Sequence, residues 1–361
     1  MIRATTSGTM KSYRVNLNNS TLRLNSARNT VLTERNFNSY AEDPSAAAQS
    51  FQLRRSFQQV DNQLNISEAV TRKFNTAYSA IDNVVMLVDN TSSSSALSAI
   101  IYGANDPTGS GRTALGQELL QIADSIVETM NCKYGDHFVF SGANGLDVAF
   151  TWEGEGENRQ LLYRGIPVDV AYDANNPTST ESQQYATLEY ISTHENRFVD
   201  IGIGLKEDEV SGNLIETSAF NSVLQGINAL GFGTDEDGDP KNIAALIYRM
   251  GTLLTNCDEN TGAWASDEDR EDFRRLIEKF ETSATELKKN HVALTTKADY
   301  LAKNQALLED TAYTLNEQIL EIEQCDLADA ITSFSWAQYC YNAALKMGNS
   351  ILSESLMDYI Q

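Results

Sequence analysis

The chain has 361 residues and a formal net charge of −23, from 50 acidic and 27 basic side chains. Its length is sufficient for two or three domains with a sizeable core. The strong negative charge argues against a protein that binds nucleic acid or an anionic membrane surface. A hydrophobic content of 41% is compatible with a folded chain rather than a disordered one.

Glycine and proline are concentrated in the middle of the sequence. Residues 1–102 contain only Gly8 and residues 263–361 only Gly348, while the other nineteen glycines lie between 103 and 262. Four of the five prolines lie in the same region. Because both residue types interrupt helices, this distribution predicts long helices at both ends of the chain around a turn-rich insert.

The N-terminal part predicts two long helices. Apolar residues recur at 3-4 spacing from Met10 to Val31, which is typical of one face of a helix. A polar connector follows at 34–39. Asp43 then precedes Pro44, which predicts a capped second helix with proline at its first position. Its apolar spacing is sustained over 53–88 and predicts a coiled-coil helix.

The middle of the chain predicts mostly strands and turns. A Ser-rich segment at 91–95 and a loop at 103–111 are expected to end the second helix, and a shorter helix is predicted over 115–130. Alternating or continuous apolar runs predict strands at 137–142, 148–152, 159–164, 166–172 and 197–205. A short helix is predicted over 218–230.

An acidic segment in this region superficially resembles a calcium loop. Asp235, Asp237 and Asp239 alternate, but Pro240 and Leu246 stand where such a loop needs glycine and glutamate. We therefore interpret the segment as an acidic surface turn. Just beyond it, Asn242 is predicted to cap a further helix that carries apolar residues over 246–253.

The longest predicted helix begins at the acidic run 266–269 and continues to Ile322 with unbroken 3-4 spacing. Between Ile322 and Leu327 the spacing slips by one position, which indicates a joint between two helical segments. His291 and Gln305 interrupt the apolar seam. We interpret them as polar residues that fix helix register, with a ligand or proton switch as the alternative.

The last helix, over 326–361, has two adjacent apolar stripes. Between Ile331 and Ser350 its only charged residue is Lys346, so a helix of this kind needs neighbours on several sides. Polar residues break any run long enough to span a membrane. The remaining interpretations are a core helix of a globular domain or a helix that buries itself among copies of the same protein, and the C-terminal position favours the second.

No pattern in the sequence predicts catalysis or a cofactor. Cys132, Cys257, Cys325 and Cys340 lack the CxxC spacing of metal sites, so we expect free thiols. Phosphate-binding loops, a nucleophile elbow and a zinc-protease motif are also missing from the sequence. We therefore predict a protein that is not an enzyme, with no catalytic, cofactor-binding or metal-binding residues.

Both ends of the chain resemble the flagellin superfamily. Residues 42–48, Glu-Asp-Pro-Ser-Ala-Ala-Ala, resemble its Asp-Asp-Pro-x-x-Ala helix start, and residues 326–331, Asp-Leu-Ala-Asp-Ala-Ile, match the start of its C-terminal helix. Within it, 134–142 and 355–360 resemble the Gly-x-Tyr-Leu-Phe-Ser-Gly and Ser-Leu-x-x-Tyr-Leu motifs of the hook-associated protein type 3 family, which joins hook to filament. The resemblance covers about 1–172 and 242–361 and fades between them.

The resemblance implies a mainly α fold: a long antiparallel coiled-coil helical bundle built from both chain ends, with a β-rich insert in the middle. It implies three domains: an inner assembly coiled coil of 1–42 and 325–361, a long-helix bundle of 43–136 and 242–324, and an outer insert of 137–241. The implied assembly interface comprises Leu17, Leu24, Val31, Leu327, Phe334, Trp336, Tyr341, Leu345 and Ile351.

The resemblance also implies partners and a location. It implies self-association in a ring or helical layer, contacts with hook-associated protein type 1 and flagellin, and an export chaperone. Residues 1–6 lack a signal-peptide core, so the protein either stays in the cytoplasm or leaves by a route that cleaves nothing. The resemblance implies the second: export through the type III apparatus to an extracellular flagellum. Two alternatives stay open: a short flagellin that forms the filament itself, and a coiled-coil adhesin or binding protein with the insert as its binding head.

Overall fold

The computed structural model describes residues 6–89, 94–105, 111–154, 156–174, 176–202, 206, 219–259 and 261–360. Side chains are described within these ranges except at 6, 7, 157 and 351–360. Long helices from the two ends of the chain pack together, and a small strand-containing region lies in the middle of the sequence. This confirms the predicted mainly α bundle with a strand-containing insert.

The helices of the described residues are α1 (Thr6–Thr33), α2 (Pro44–Val88), α3 (Ala96–Asn105), α4 (Arg112–Met130), α5 (Thr180–His194), α6 (Gly226–Leu230), α7 (Ile243–Thr255), α8 (Asp267–Glu323) and α9 (Leu327–Ile360). The strands are β1 (Lys133–Tyr134), β2 (His137–Phe138), β3 (Phe150–Glu153), β4 (Gln160–Tyr163), β5 (Ile166–Pro167), β6 (Phe198–Val199) and β7 (Phe220–Asn221). The predicted joint is confirmed, because α8 ends at Glu323 and α9 begins at Leu327.

The chain divides into two compact units. The terminal unit consists of Met1–Asn62 and Leu308–Gln361, and the central unit consists of Gln63–Leu307. Both α2 and α8 contribute residues to each unit. The three domains proposed from the sequence, with their boundaries near 42, 136, 241 and 324, stay a prediction.

In the terminal unit α1 and α9 pack against each other in antiparallel orientation. Tyr13, in the first half of α1, lies against Gly348 near the end of α9. At the opposite end of the pair, the Cys325 thiol donates to the Thr30 carbonyl oxygen over 3.7 Å. The predicted apolar stripe of α1 faces this contact, since Leu17 and its equivalents at 3-4 spacing are half-buried.

Two predicted helix caps are confirmed. The Asp43 carboxylate accepts the backbone N–H groups of Ser45 and Ala46, each over 3.0 Å, at the start of α2. The Asn242 side chain accepts two backbone N–H groups in the first turn of α7. Each cap satisfies donors that the first turn of a helix leaves without a partner, which explains why these helices begin where they do.

The central unit contains a continuous apolar core. Its largest fully buried side chains come from helices and strands alike and include Phe74, Ile100, Leu119, Phe150, Tyr163, Leu188 and Phe280. The helices α4 and α7 lie in close contact because glycines face each other: a Cβ added at Gly116 would lie 2.8 Å from the Gly251 carbonyl oxygen. The eight buried residues of α7, a helix of 13, complete this core.

The strands are shorter than the sequence predicted. β3, β4 and β5 form an antiparallel sheet in which Phe150 pairs with Tyr163, while β1–β2 and β6–β7 are two-residue pairs. The strand predicted at 197–205 is reduced to β6, and residues 203–205 lie outside the described part. The helix predicted over 218–230 is corrected to α6, preceded by β7.

Two helices of the middle region were missed. α5 has no strong apolar periodicity, because its buried side chains are only Ser182, Leu188 and Ile191. α3 extends to Asn105 and therefore overlaps the predicted loop at 103–111, of which 106–110 lie outside the described residues. The pattern of α5 is weak, so packing against neighbours determines its helical structure. The buried residues of α3 do follow helical spacing, at Ala96, Ala99, Ile100 and Gly103, but within a short apolar run.

Replacing Gly116 with alanine is expected to destabilise the central unit. The new Cβ would lie 2.7 Å from the backbone nitrogen of Thr255, and backbone atoms cannot move aside as a flexible side chain can. Overpacking of this kind costs about 1–3 kcal/mol. Urea unfolding should show the loss, whereas alanine at Gly8, exposed in α1, should leave stability equal or slightly higher. Equal stability of the Gly116→Ala variant and the original chain would contradict the tight α4–α7 contact.

Candidate assembly surface

The outer face of α9 carries exposed large apolar side chains. Its large apolar side chains are between 43% and 68% exposed; they are Leu327, Ile331, Trp336, Tyr339, Leu345 and Met347. We call these six residues the α9 outer face. Exposed apolar residues are common singly, but several large ones on one helix, three of which line the same depression, are typical of a surface that binds another protein.

Aromatic rings form the centre of the α9 outer face. The rings of Trp336 and Tyr339 meet edge to face, with centroids 6.1 Å apart. Together with Ile331, Thr332 and Ser335 they line a shallow depression of about 510 Å³. Large aromatic side chains of this kind dominate the energetics of protein interfaces when they become buried.

The inner face of α9 packs on α1 but buries little. Among its described side chains, those that become fully buried are small: Ala330 and Ala344, at 6% and 9% exposure. Larger ones such as Phe334 and Tyr341 are half-buried. None of the described side chains of α1, over 8–33, is fully buried. The α1–α9 pair is therefore a seam with open sides rather than a closed core.

The structure places the predicted interface residues in two groups. Half-buried in the α1–α9 seam are Leu17, Leu24, Val31, Phe334 and Tyr341. Exposed on the α9 outer face are Leu327, Trp336 and Leu345. The side chain of Ile351 lies outside the described part. In the single chain the first group therefore lies in a seam and the second on an outer surface. The assembly interface implied by the resemblance stays a prediction.

The charge of α1 is a feature that the sequence analysis missed. Its basic residues are Lys11, Arg14, Arg23 and Arg28, and it has no Asp or Glu, so four positive charges lie on one helix of a chain whose net charge is −23. All four side chains are exposed, and within the described residues none forms an ion pair with the chain. The signal was the uniform sign of charge over 6–33, which could have been read from the sequence.

An ion pair between a buried glutamate and an exposed arginine holds the base of the terminal helices. The Glu323 carboxylate, with its side chain 11% exposed, accepts hydrogen bonds from Arg54 Nε over 2.6 Å and from Ser50. The hydrogen bonds from Arg54 keep the pKa of Glu323 at about 2, although burial opposes this shift. Because the pair joins the end of α8 to α2, it fixes the helix end from which α9 continues.

Backbone hydrogen bonds also hold this joint. The Asn36 N–H donates to the Glu323 carbonyl oxygen over 2.8 Å, and the Cys325 N–H donates to the Glu34 carbonyl oxygen over 3.1 Å. Glu34 adopts a left-handed backbone conformation, with φ of 56°, that ends α1. The connectors on either side of the α1–α9 pair are thus hydrogen-bonded to each other, which fixes the pairing of the helices at this end.

The acidic segment in the central unit is held by basic side chains. Lys279 Nζ contacts the carboxylates of Asp235, Asp237 and Asp239 at 2.5–2.7 Å. Arg275 also binds Asp239, at 2.8 Å. The prediction of a surface turn is wrong for Asp239, which is fully buried. These three carboxylates could approach a metal ion together, but the ammonium group of Lys279 already lies among them.

Comparisons with known proteins identify a similar fold and no related sequence. Neither a known protein family nor a curated protein sequence matches the chain. A solved structure of a flagellar hook-associated protein from Vibrio parahaemolyticus matches with a TM-score of 0.53 and 13% sequence identity. The match covers 78% of this chain and 100% of that one. At this identity the match shows a shared fold. Among the described helices of this chain, none has the length and apolar character needed to cross a membrane.

Lowering the pH should weaken the base of the terminal helices. The pKa of Glu323 is about 2 in the folded chain, below its ordinary value of 4.5. The stabilisation is therefore fully present above the ordinary value and is lost as the pH falls from 4.5 towards 2. Urea unfolding followed by circular dichroism at about pH 6 and about pH 3 should show this loss.

A variant distinguishes the contribution of Glu323 to the pH dependence from that of the other carboxylates. Glu323→Gln should cost on the order of 1–3 kcal/mol at neutral pH, the range for a hydrogen-bonded charged group. Its stability should then fall less between neutral and acidic pH than that of the original chain. Glu321→Gln is the matched control, since Glu321 is exposed on the same helix. Identical pH dependence in all three chains would contradict the assigned role of Glu323.

Proposed function

We propose that this protein is a structural subunit of the bacterial flagellum, an adaptor that joins hook to filament. The observation that carries the proposal is the α9 outer face: six exposed large apolar side chains on the terminal helix of a long-helix bundle, with Ile331, Trp336 and Tyr339 lining one depression. The fold shared with the Vibrio parahaemolyticus protein supports it. So do the terminal sequence motifs at 42–48 and 326–331, which resemble those of the flagellin superfamily.

Self-association through α1 and α9 follows from what these helices leave uncovered. Trp336 is 64% exposed and Tyr339 68% exposed in the single chain. Burying one such side chain contributes about 1.5–3 kcal/mol to holding a neighbouring copy in place. In a ring or helical layer each copy covers the α9 outer face of its neighbour and adds the packing that the α1–α9 seam lacks.

The positive charge of α1 indicates the kind of surface that meets it. Four exposed basic side chains on one helix attract an acidic surface, and the chain itself carries 50 acidic residues. A neighbouring copy is therefore a complementary partner. The same logic extends to the further partners implied by the sequence resemblance: hook-associated protein type 1, flagellin and an export chaperone. Exposed ion pairs contribute less affinity than orientation and rate of association.

Two other functions compete with the adaptor. A short flagellin would use the same terminal helices to elongate a filament, and an adhesin would use the central unit as a binding head. Purified protein mixed with hook ends and with filament fragments distinguishes the three. An adaptor adds a limited layer to hook ends, a flagellin elongates filament fragments without limit, and an adhesin adds to neither. Electron microscopy of the reaction gives the result.

Replacing Trp336 with aspartate should abolish assembly while the single chain stays folded. The side chain is exposed in the single chain, so its loss costs little there. In the assembly an unpaired carboxylate would be buried, which costs several kcal/mol beyond the lost apolar contact of about 2–3 kcal/mol. Analytical ultracentrifugation and rescue of filaments in a deletion strain measure the effect.

Two comparison variants sharpen the Trp336 experiment. Tyr102→Asp is the matched control, because Tyr102 is also 64% exposed but lies on α3 in the central unit. It should assemble normally. Phe334→Asp alters the α1–α9 seam, so it should weaken the folded terminal unit as well as assembly. Normal filaments formed by the Trp336→Asp variant would show that the α9 outer face is not an assembly surface.

The contribution of the α1 charges to assembly should shrink as salt concentration rises. Screening shortens the reach of exposed charges from about 10 Å at 0.1 M to about 3 Å at 1 M. Lys11→Glu should slow assembly on the order of three- to tenfold at low salt, and this difference should shrink at high salt. Lys297→Glu, an exposed lysine on α8, provides a control of equal charge change. If both variants behave alike, the charge of α1 has no special part in assembly.

A further inference from the structure

Two helices of the terminal unit carry charges of opposite sign. α1 has basic residues and no Asp or Glu. The part of α8 in the terminal unit, over 308–323, shows the reverse, because it has acidic residues and no Lys or Arg. A chain whose net charge is −23 thus contains a basic helix and, within the same compact unit, a segment whose charges are all negative.

On α1, basic and apolar side chains share one exposed face. Lys11, Val15 and Leu22 follow one another at helical spacing, and Arg14 lies beside them. Val15 is 53% exposed and Leu22 59%, whereas Leu17 on the other side of the helix is half-buried in the seam. An open groove of about 890 Å³ has Lys11, Arg14 and Val15 in its lining. We call Lys11, Arg14, Val15 and Leu22 the α1 outer stripe.

The acidic segment of α8 has a matching exposed face. Asp310, Tyr313, Glu317 and Leu320 recur at 3-4 spacing, so they lie on one side of the helix, and all four are exposed. The buried Ile319 lies on the opposite side. The Tyr313 hydroxyl donates to a Glu317 carboxylate oxygen over 2.7 Å. We call these four exposed residues the α8 outer stripe. Both stripes combine charged with large apolar side chains, and their charges are opposite.

The two stripes lie apart within one chain. α1 and α8 both end at the joint, where the Asn36 N–H donates to the Glu323 carbonyl oxygen. At 1.5 Å per residue, Lys11 lies about 33 Å along α1 from its end at Thr33, while Glu317 lies about 9 Å from the end of α8. This difference of about 24 Å separates the stripes. The described residues accordingly include no ion pair between α1 and α8.

We propose that the α1 outer stripe of one copy binds the α8 outer stripe of the next copy. The inference rests on the proposed self-association and identifies the acidic surface that α1 meets. Because the two stripes are different surfaces, the contact is heterologous and repeats from copy to copy. Such a contact produces a ring if the rotation closes and a helical layer if it does not.

The chemistry of the stripes favours this pairing over a contact with other acidic surfaces of the chain. Asp239, for example, already has Arg275 and Lys279 as partners. Asp310 and Glu317 have no ion-pair partner among the described residues, so they are available to a second copy. The apolar side chains of each stripe contribute affinity, and the opposite charges orient the two copies.

Charge reversal in the full-length chain tests the pairing. One variant combines Lys11→Glu with Arg14→Glu, and the other combines Asp310→Lys with Glu317→Lys. Either variant alone brings like charges together, so its self-association at about 0.05 M salt should weaken on the order of tenfold. In an equimolar mixture every contact between the two variants joins opposite charges again. The mixture should therefore associate to within roughly threefold of the original chain.

Sedimentation velocity over a range of protein concentrations measures self-association, and circular dichroism checks that each variant is folded. Glu278→Lys combined with Glu281→Lys is the matched control, because both residues are exposed on α8 within the central unit. It lowers the net negative charge as the α8 stripe variant does, which by itself favours association. The control should therefore associate at least as well as the original chain. Asp310→Asn combined with Glu317→Gln removes the charges without reversing them and should weaken association on the order of threefold.

The inference is overturned if the mixture associates no better than its two components, or if both variants of the α8 outer stripe associate as the control does. Either result would leave the proposed self-association standing, with another surface opposite α1. If the unaltered chain stays single at every concentration, the proposed self-association fails together with this inference.

Discussion

The terminal helices cannot cover their own apolar surface, and the organisation of the chain follows from this shortage. α1 and α9 have 28 and 34 residues, yet the fully buried apolar side chains described in the pair are the alanines Ala330 and Ala344. Ordering a residue costs about 1–2 kcal/mol in conformational entropy, which two helices in contact along one seam recover poorly. The central unit differs, because its helices and strands enclose a core of large side chains. One unit is thus complete in itself, while the other needs further surfaces.

A helix pair that buries so little apolar surface still needs contacts that fix how the two helices are oriented. The joint supplies it with polar contacts: Arg54 and Ser50 donate to Glu323, and backbone hydrogen bonds link the connectors. Polar contacts are directional, whereas apolar packing alone would allow the helices to slide along each other. The joint therefore fixes which faces of α1 and α9 meet. By doing so it determines that Trp336 points outward and that Phe334 lies in the seam.

Residue patterns predicted the long helices because each has a repeating apolar face, as from Met10 to Val31. Local chemistry predicted the starts at Asp43 and Asn242, since a cap requires only neighbouring residues. The sequence pattern could not predict contacts between residues that are far apart in the chain. Asp239 is buried because Arg249 and Lys279, on two other helices, reach its carboxylate. Which of the predicted interface residues lie in the seam likewise depends on which apolar stripe of α9 packs on α1. A helix with two apolar stripes does not show in its sequence which one that is.

The charge of α1 adds a constraint that apolar contacts lack. Removing its four basic residues from the 27 of the whole chain leaves 23, against 50 acidic residues, none of which lies in α1. Two copies that approach through most of their surfaces repel each other, because both are strongly acidic. An approach that brings α1 of one copy to an acidic surface of the next is attractive. An apolar face alone discriminates poorly between partner surfaces, so in the proposed assembly repulsion in the other orientations would restrict the geometry. The apolar side chains would then provide affinity, and the charges would determine the orientation.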